Sequence, residues 1–480
     1  MTGDAAPPPR FLVPSLLLLT TVTGVVSSLG APLVPTIAAD LDVSLSSAQW
    51  TLTATMLTAA VATPLVGRVA VAHRRRRVVL AGLAVVLLGT LLSALGAALP
   101  LPSDVGLGLL LAGRVLQGVG MALAPLVMSI ARDHLPADRL GPAVALLSVG
   151  GVAGAGLGFP LTALVAQVGG LAAAFWLGAA LTFITMAASW ACLAREPHAA
   201  RLPVPPGEVA LLAVSTLSVL LGVSQSTSWG WGHPGTLGLL AFGLVTLAAW
   251  TQLALRSDAP LVDLRLAFGG PARGPHVTGL LAGTGMYFGL TLVMVLVQAD
   301  SPDGWGLDQP VLVAGMMLIP YSLMSVIGSR LSLRWGRRVH PARVLPLGCG
   351  VYLLSSLLLA VAHDHVWQAA VAMALAGLGS GGTFATLPVL LVRAVPPEQT
   401  ASALAFNLVL RYVGFATGSA VGVTVLTLAG GPVPDERGFV TAMLVNAAVW
   451  LLAIGAVLWS GREETHPRER PARRARSATR

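Results

Sequence analysis

The chain has 480 residues, of which 55% are hydrophobic and only 10% are charged. Soluble chains carry about 25% charged residues, so this composition excludes an ordinary soluble protein and indicates an integral membrane protein. The formal net charge is +9, but the arginines stand in short loops and a tail between apolar runs. That pattern is typical of membrane topology and not of a nucleic-acid-binding surface.

Apolar runs long enough to cross a bilayer as helices follow one another along the chain, since a span needs about 20 residues. Fourteen are found, at 11–37, 48–70, 78–100, 106–131, 141–166, 171–194, 208–227, 236–255, 275–299, 309–333, 343–362, 366–393, 400–429 and 438–460. With the N-terminus in the cytoplasm, one set of loops holds nearly all the arginines and the other set holds aspartates. The positive-inside rule then predicts that both termini are cytoplasmic, and the even number of runs agrees.

The runs divide the chain into seven predicted segments. These are a cytoplasmic segment 1–10, a six-helix half 11–194, a cytoplasmic linker 195–207, two additional helices 208–255, a second cytoplasmic linker 256–274, a second six-helix half 275–460 and an arginine-rich, disordered tail 461–480. The predicted fold class is all-α and membrane-spanning, with fourteen helices arranged as 6+2+6.

Two sequence patterns recur in the two halves. GRVAVAHRRRRV at 67–78 matches GSRLSLRWGRRV at 328–339, an offset of 261 residues. Glycines at every fourth position recur with an offset of 264 residues, as Gly150, Gly154 and Gly158, and again as Gly414, Gly418 and Gly422. Such spacing predicts tight packing along one helix face. We interpret the two matches as a duplication, which is the architecture of secondary transporters with a site between repeated halves.

The fourth run contains an arginine, Arg114. A charged side chain inside a membrane helix costs about 2.5–3.5 kcal/mol on insertion scales, and such residues usually face a bundle interior or a water-filled cavity. At about 100° per residue, Arg114 shares a face with Gln117, Gly118, Met121 and Pro125. We predict a polar, roomy face on this helix. The alternative is an arginine that extends its side chain to the membrane interface.

The stretch RVLQGVGMALAP, from Arg114 to Pro125, resembles the fourth-helix motif of the major facilitator superfamily. Nearly the whole chain is similar to the branch of fourteen-helix drug:proton antiporters in that family. Further matches to the branch are Gln49-Trp50, the segment 259–265, Asn407 and Arg411. The resemblance implies two halves that alternate around a midplane site, export of lipophilic or amphiphilic drugs or antibiotics, and a role for Arg114 in proton coupling.

These patterns and the resemblance together give a set of candidate site residues. The transport and coupling candidates are Arg114, Gln117, Gly118 and Arg411. The candidates for the substrate cavity are Trp50, Thr53, Met121, Tyr287, Gln298 and Asn407. The gate and packing candidates are Gly67, Arg75, Arg76 and the two glycine stripes. Hydroxyls on the first helix, such as Thr20 and Thr23, either line the cavity or bond carbonyls of their own helix.

The chain departs from the family pattern where acids are expected. Val26 stands where the branch has a first-helix aspartate, and Val71 where the family's loop motif has one. No Asp or Glu lies well inside any run, and arginine does not deprotonate in proteins. Three options for coupling remain open: an acid at a helix end such as Asp40 or Glu208, protonation of the substrate itself, or no coupling.

The sequence thus predicts a multi-pass transporter of the cell membrane that exports lipophilic or amphiphilic small molecules, with a proton gradient as the expected driving force. An uncoupled facilitator, a metabolite transporter, and a scaffold or sensor that kept the fold are the alternatives. We expect a monomer in the lipid bilayer with a small-molecule substrate, no nucleic acid, no cofactor and no metal. The motif His363-Asp364-His365 has metal-ligand residue types without further ligands nearby. An enzyme is not expected, because no nucleophile–base set or phosphate loop is found.

Overall fold

The computed structural model describes residues 11–29, 33–72, 75–193, 205–257, 260–299, 305–336, 338–430 and 435–465. Within these residues the chain forms seventeen α-helices. They are α1 (Leu12–Ser28), α2 (Val34–Asp40), α3 (Leu45–Ala72), α4 (Arg75–Ala98), α5 (Ser103–Met121), α6 (Ala124–His134), α7 (Ala137–Cys192), α8 (Pro206–Trp229), α9 (Pro234–Arg256), α10 (Leu264–Ala267), α11 (Arg273–Gln298), α12 (Val311–Met316), α13 (Leu318–Gly336), α14 (Pro341–Val361), α15 (Val366–Ala394), α16 (Thr400–Gly430) and α17 (Glu436–Thr465). The predicted segment 1–10, most of the linker 195–207 and the tail beyond 465 lie outside the described residues.

The helices account for all fourteen predicted membrane spans. In the described part of the chain, 13 stretches are long and apolar enough to cross a membrane, and Leu12–Val26 is a shorter apolar helix. Helix α7 supplies two spans because it bends at Gly170, whose φ of 80° is one that glycine adopts without strain. The predicted all-helical, membrane-spanning fold class is confirmed.

Several predicted runs differ from the observed helices in their limits. The run 106–131 is divided into two helices, α5 and α6. Pro125 lies in the first turn of α6, a position where proline favours the start of a helix. The run 309–333 is likewise divided into α12 and α13. The last helix continues to Thr465, past the predicted limit of 460, because a hydropathy window detects the membrane-spanning part of a helix and not its polar extension.

The two halves repeat the same helix pairings. The first and fifth spans pack together, as α1 with α7 and as α11 with α16. The second and fourth spans pair as α3 with α5 and as α13 with α15. The third and sixth pair as α4 with α7 and as α14 with α17. This internal repetition confirms the predicted arrangement in two related halves.

The glycine stripes lie at the contacts between the first and fifth spans. A Cβ atom at Gly154 would collide with the backbone of Thr21 in α1. A Cβ at Gly418 would collide in the same way with the carbonyl of Thr284 in α11. The remaining members are Gly150, which faces Leu17, Gly414, which faces Leu280, Gly422, which faces Phe288, and Gly158, which is buried in α7.

The two additional helices form a hairpin beside the junction of the halves. Helices α8 and α9 pack on each other, and α8 also packs on α3 of the first half and α16 of the second. The Nε1 of Trp231 donates to Oγ1 of Thr424 at 2.6 Å, which fixes the turn of the hairpin to α16. At the other end, the carboxylate of Glu208 accepts a hydrogen bond from the backbone N–H of Leu261 at 2.6 Å.

Candidate functional site

A cavity of about 240 Å³ lies between the two halves. Its walls come from α1, α3, α5, α6 and α7 of the first half and from α11, α15 and α16 of the second. The lining residues are Thr20, Thr23, Gly24, Leu52, Thr55, Met56, Met121, Ala124, Pro125, Met128, Leu147, Ser148, Gly151, Met286, Tyr287, Pro388, Leu404, Asn407, Leu408, Arg411, Tyr412 and Phe415. The predicted location between the halves therefore holds a space of small-molecule size.

The cavity wall is apolar with a few polar groups. Four methionines and four leucines are among the lining residues, and Met side chains adapt to ligands of different shape. Thr20 and Thr23 line the cavity and also donate to the carbonyls of Leu17 and Thr20, both at 3.0 Å, so both predicted roles occur together. Among the described residues that line the cavity, Arg411 is charged and none is acidic.

Arg411 lies in α16 among aromatic rings. The central carbon of its guanidinium is 4.1 Å from the ring centroid of Phe384 and 5.8 Å from that of Phe415. The ring of Phe415 stacks on Tyr287 of α11 with centroids 4.4 Å apart. The Nε of Arg411 is buried and has no hydrogen-bond partner among the described residues. Cation–π contacts therefore hold this guanidinium at the cavity wall.

Arg114 does not reach the cavity. Its side chain is 0% exposed, with Nε donating to the carbonyl of Thr51 at 3.1 Å and Nη1 to the carbonyl of Val26 at 3.2 Å. Nη1 also donates to Oε1 of Gln117 at 2.6 Å, and Gln117 in turn donates to Ser93 at 3.0 Å. This network ties α5 to α1, α3 and α4.

The face of α5 that carries Arg114 is filled and not roomy, contrary to the prediction. A Cβ at Gly118 would come within 2.5 Å of the carbonyl oxygen of Thr55, so Gly118 allows α3 to lie directly against α5. Only the end of the predicted face reaches the cavity, at Met121 and Pro125. The valine at position 26 presents a backbone carbonyl to Arg114 where the branch pattern has a carboxylate.

Three of the six cavity candidates line the cavity: Met121, Tyr287 and Asn407. Trp50, Thr53 and Gln298 do not line it in this structure. Thr55 and the residues beside it on the same face of α3 line the cavity, whereas Trp50 is 38% exposed. Gln298 is exposed at the last residue of α11, where its side chain donates to its own helix.

Two aromatic lining residues, Tyr412 and Phe415, were not among the candidates. A signal for Phe415 was present in the sequence. Phe415 follows Asn407 and Arg411 at a spacing of four residues, so the three share one face of α16. Extending the helical period from those two residues would have included it.

At one end of the bundle, arginines fasten helices to one another. We call this the arginine-rich end; Arg75, Arg76 and Arg132 lie there. Arg75 forms an ion pair with Asp133 of α6, and Arg76 donates to the carbonyl of Trp190 at 2.6 Å. These two contacts lie within the first half.

Contacts between the halves also occur at the arginine-rich end. Arg132 of α6 donates to the carbonyl of Val395 at 3.0 Å and to the hydroxyl of Thr400, both in the second half. A Cβ at Gly67 of α3 would lie 2.9 Å from the Cβ of Ala405 in α16. Closer to the cavity, Ser148 donates to the carbonyl of Phe384 at 2.7 Å. No pattern in the sequence indicates that Arg132 bridges the halves.

The acids named as coupling candidates lie away from the cavity. Asp40 is exposed at the end of α2. Glu208 is 2% exposed, caps the backbone of Leu261, and does not line the cavity. His276 is a buried titratable residue inside α11, and its Nδ1 lies 3.5 Å from the side-chain nitrogen of the cavity residue Asn407.

His363 is buried and serves packing in this structure, whereas His365 is exposed. The Nδ1 of His363 lies 2.9 Å from the carbonyl oxygen of Leu359, and its Nε2 lies 3.7 Å from a carboxylate oxygen of Glu436. In the ranges that the structure describes, no three His, Cys, Asp or Glu residues are grouped as a metal site would require.

The sequence family agrees with this architecture. The family described as Major Facilitator Superfamily matches residues 16–299 and 278–480. The chain belongs to this family of multi-pass membrane transporters. The earlier resemblance is therefore confirmed.

Relatives within the family are named for antibiotic export and resistance. The cephamycin export protein of Amycolatopsis lactamdurans is 31% identical over 445 residues, covering 88% of this chain and 86% of that protein. The tetracenomycin C resistance and export protein of Streptomyces glaucescens is 26% identical, covering 84% of this chain and 73% of that protein. Among solved structures, the human organic anion transporter MFSD10 superposes with a TM-score of 0.66 at 15% identity, covering 94% of this chain and 100% of that one, which shows a shared fold.

Proposed function

We propose that this protein exports lipophilic or amphiphilic small molecules, antibiotics among them, across the cell membrane by alternating access. The observation that carries the proposal is the apolar cavity enclosed by helices of both halves. Sites at the interface of repeated halves are where secondary transporters bind their substrates. The relatives named for antibiotic export support the same class of substrate.

The contacts at the arginine-rich end suit one closed state of such a cycle. By the positive-inside rule, this end and both termini are proposed to face the cytoplasm. Substrate entry from the cytoplasm then requires that Arg132 release Thr400 and that α3 move away from α16 at Gly67.

The closed contact offers a reversible lock for testing export. In protein with Cys192→Ser and Cys349→Ser, we would combine Gly67→Cys with Ala405→Cys, because disulfides need Cβ atoms about 3.8 Å apart and these two positions are close. Proteoliposomes would be loaded with a panel of antibiotics and flux measured. We expect flux that stops on oxidation and returns on reduction.

Two results would contradict the proposal. One is equal flux through the oxidised and reduced double variant. The other is no flux of any panel member through folded wild-type protein, which would favour the scaffold or sensor alternative.

The proposed driving force is the proton gradient. Since the described cavity wall holds no acid, His276 beside Asn407 is the titratable group we propose to examine first. The experiment is drug flux in proteoliposomes with an imposed pH gradient, with and without its collapse by a proton–potassium exchanger. Flux that is indifferent to the gradient would support the uncoupled facilitator.

A further inference from the structure

The cavity carries a positive charge that the protein does not balance. Arg411 is charged, and none of the other lining residues in the described part of the chain is acidic. We propose that the cavity selects amphiphiles with a single negative charge, whose carboxylate-type head binds the guanidinium of Arg411. This inference rests on the proposed export function and names its substrate class.

The two membrane arginines show why Arg411 is suited to a ligand. The guanidinium of Arg114 donates hydrogen bonds to the protein itself, namely to the carbonyls of Thr51 and Val26 and the side-chain amide oxygen of Gln117. Arg411 instead rests against Phe384 and Phe415, and its buried Nε lacks a hydrogen-bond partner among the described residues. A buried donor left without a partner is costly. The protein therefore leaves part of the hydrogen-bonding capacity of Arg411 unused, and the residue lines the cavity that a ligand would enter.

The chemistry of the guanidinium selects the head group. Arginine presents planar paired donors that match the two oxygens of a carboxylate, and such charge-assisted pairs are about twice as strong as neutral hydrogen bonds. In a site of low dielectric constant the same charge repels a cation strongly. We therefore expect the cavity to bind an anionic ligand most tightly, a neutral ligand less tightly and a cationic ligand most weakly.

The rest of the cavity suits the apolar part of an amphiphile. Opposite α16, the first half contributes Leu52, Met56, Met121 and Met128. Flexible thioether side chains of this kind adapt to different apolar shapes. The cavity thus combines one fixed charge with a permissive apolar wall.

An anionic substrate also bears on the missing acids. Export of a monoanion moves one negative charge outward, so an inside-negative membrane potential favours it about 50-fold per 100 mV. This driving force acts whether or not a proton enters in exchange. A carboxylate inside the spans is then not required for concentrative export.

The test uses three probes with one naphthalene frame: 1-naphthaleneacetate, 1-naphthaleneacetamide and 1-naphthylethylamine. Binding is measured to full-length protein in lipid nanodiscs, with empty nanodiscs subtracted. We expect the acetate to bind wild-type protein at least tenfold more tightly than the amide, with the amine weakest. In Arg411→Gln the acetate should fall to the affinity of the amide while the amide is unchanged. Arg330→Gln, which removes an exposed arginine from α13, should keep the wild-type ratio.

Four results would each overturn the inference. In wild-type protein these are equal affinities for acetate and amide, tighter binding of the amine, or no binding of the acetate. In Arg411→Gln it is an unchanged ratio of the acetate and amide affinities. Should Arg411→Gln lose both ligands, Arg411→Lys decides, since a retained preference for the acetate supports the inference and a lost one overturns it. Drug flux with equal acetate and amide affinities would sink only this inference. Acetate selectivity without drug flux would sink the export proposal and leave the charge selectivity standing.

Discussion

Arg114 has no direct access to the cavity, yet it joins four helices through backbone and side-chain acceptors. Its contacts to Thr51, Val26 and Gln117 are all buried. Leaving a buried acceptor unpaired costs about 1–3 kcal/mol. The residue is therefore a structural tie of the first half, and its effect on transport acts through the positions of α1 and α3, which line the cavity.

Arg114→Lys is expected to damage both stability and export. Lysine keeps the charge but has no planar donor fork, so it cannot satisfy three separated acceptors in the same geometry. We expect at least a tenfold lower drug flux and a melting temperature several degrees lower for the detergent-solubilised protein. Thermal unfolding and flux would be measured on the same preparation. A stable variant with normal flux would show that the network is dispensable.

At the residue scale, the sequence identified the charged residues inside the membrane spans but not the partners that these residues bond. Arg114 was recognisable because a charge within an apolar run is costly. Its principal partners are backbone carbonyls of α1 and α3, which have no sequence signature. In the sequence, Arg132 is indistinguishable from the other loop arginines, because its role depends on Val395 and Thr400 in the other half.

At the element scale, the close packing of helices depends on glycines, because the Cβ methyl of an alanine would not fit at these positions. Gly154→Ala places a Cβ against the backbone of Thr21 and should destabilise the protein by about 1–3 kcal/mol through overpacking. Gly151→Ala, one turn earlier on the same helix, has its nearest neighbour at 3.8 Å. There we expect no loss, or a slight gain from the helix propensity of alanine. Melting temperatures of the two variants would be compared, and equal values would argue against close packing of α1 on α7.

The start of α8 supports a prediction about coupling. Glu208→Gln keeps an oxygen that accepts from Leu261, whereas Glu208→Ala removes it. If the role of Glu208 is to accept the hydrogen bond from the backbone of Leu261, the glutamine variant keeps the wild-type flux and the wild-type pH profile. Only the alanine variant is then destabilised. A pH profile that changes in Glu208→Gln would instead make this carboxylate part of proton coupling.

Hydropathy predicted which segments span the membrane but only some of the interruptions between and within them. The bend at Gly170 falls in the predicted gap between the runs 141–166 and 171–194. The break between α5 and α6 instead falls inside the single predicted run 106–131, because a hydropathy window averages over it. That break follows from Pro125, a residue visible in the sequence.

At the scale of the whole molecule, the internal repeat could be predicted from the sequence because the duplicated glycine stripes have the same packing role in each half. The contacts between the halves could not be predicted, since they join residues far apart in the chain and belong to one conformation of two halves that move. The cavity follows the same logic. Its place between the halves was predictable, whereas its lining depends on how each helix is rotated, which excluded Thr53 and included Tyr412.

Arg132 should control the balance between closed and open states of the arginine-rich end. Hydrogen bonds from charged groups contribute about 1.5–3 kcal/mol, so Arg132→Ala, which loses Val395 and Thr400 as partners, should raise the open population about tenfold. Spin labels at Arg139→Cys and Arg334→Cys, in protein without native cysteines, would report the distance between halves by pulsed electron resonance. Arg256→Ala removes the same charge at the end of α9 and should leave the distance distribution unchanged. A distribution in Arg132→Ala identical to that control would mean that the apolar contact of α3 with α16 holds this end closed without the arginine.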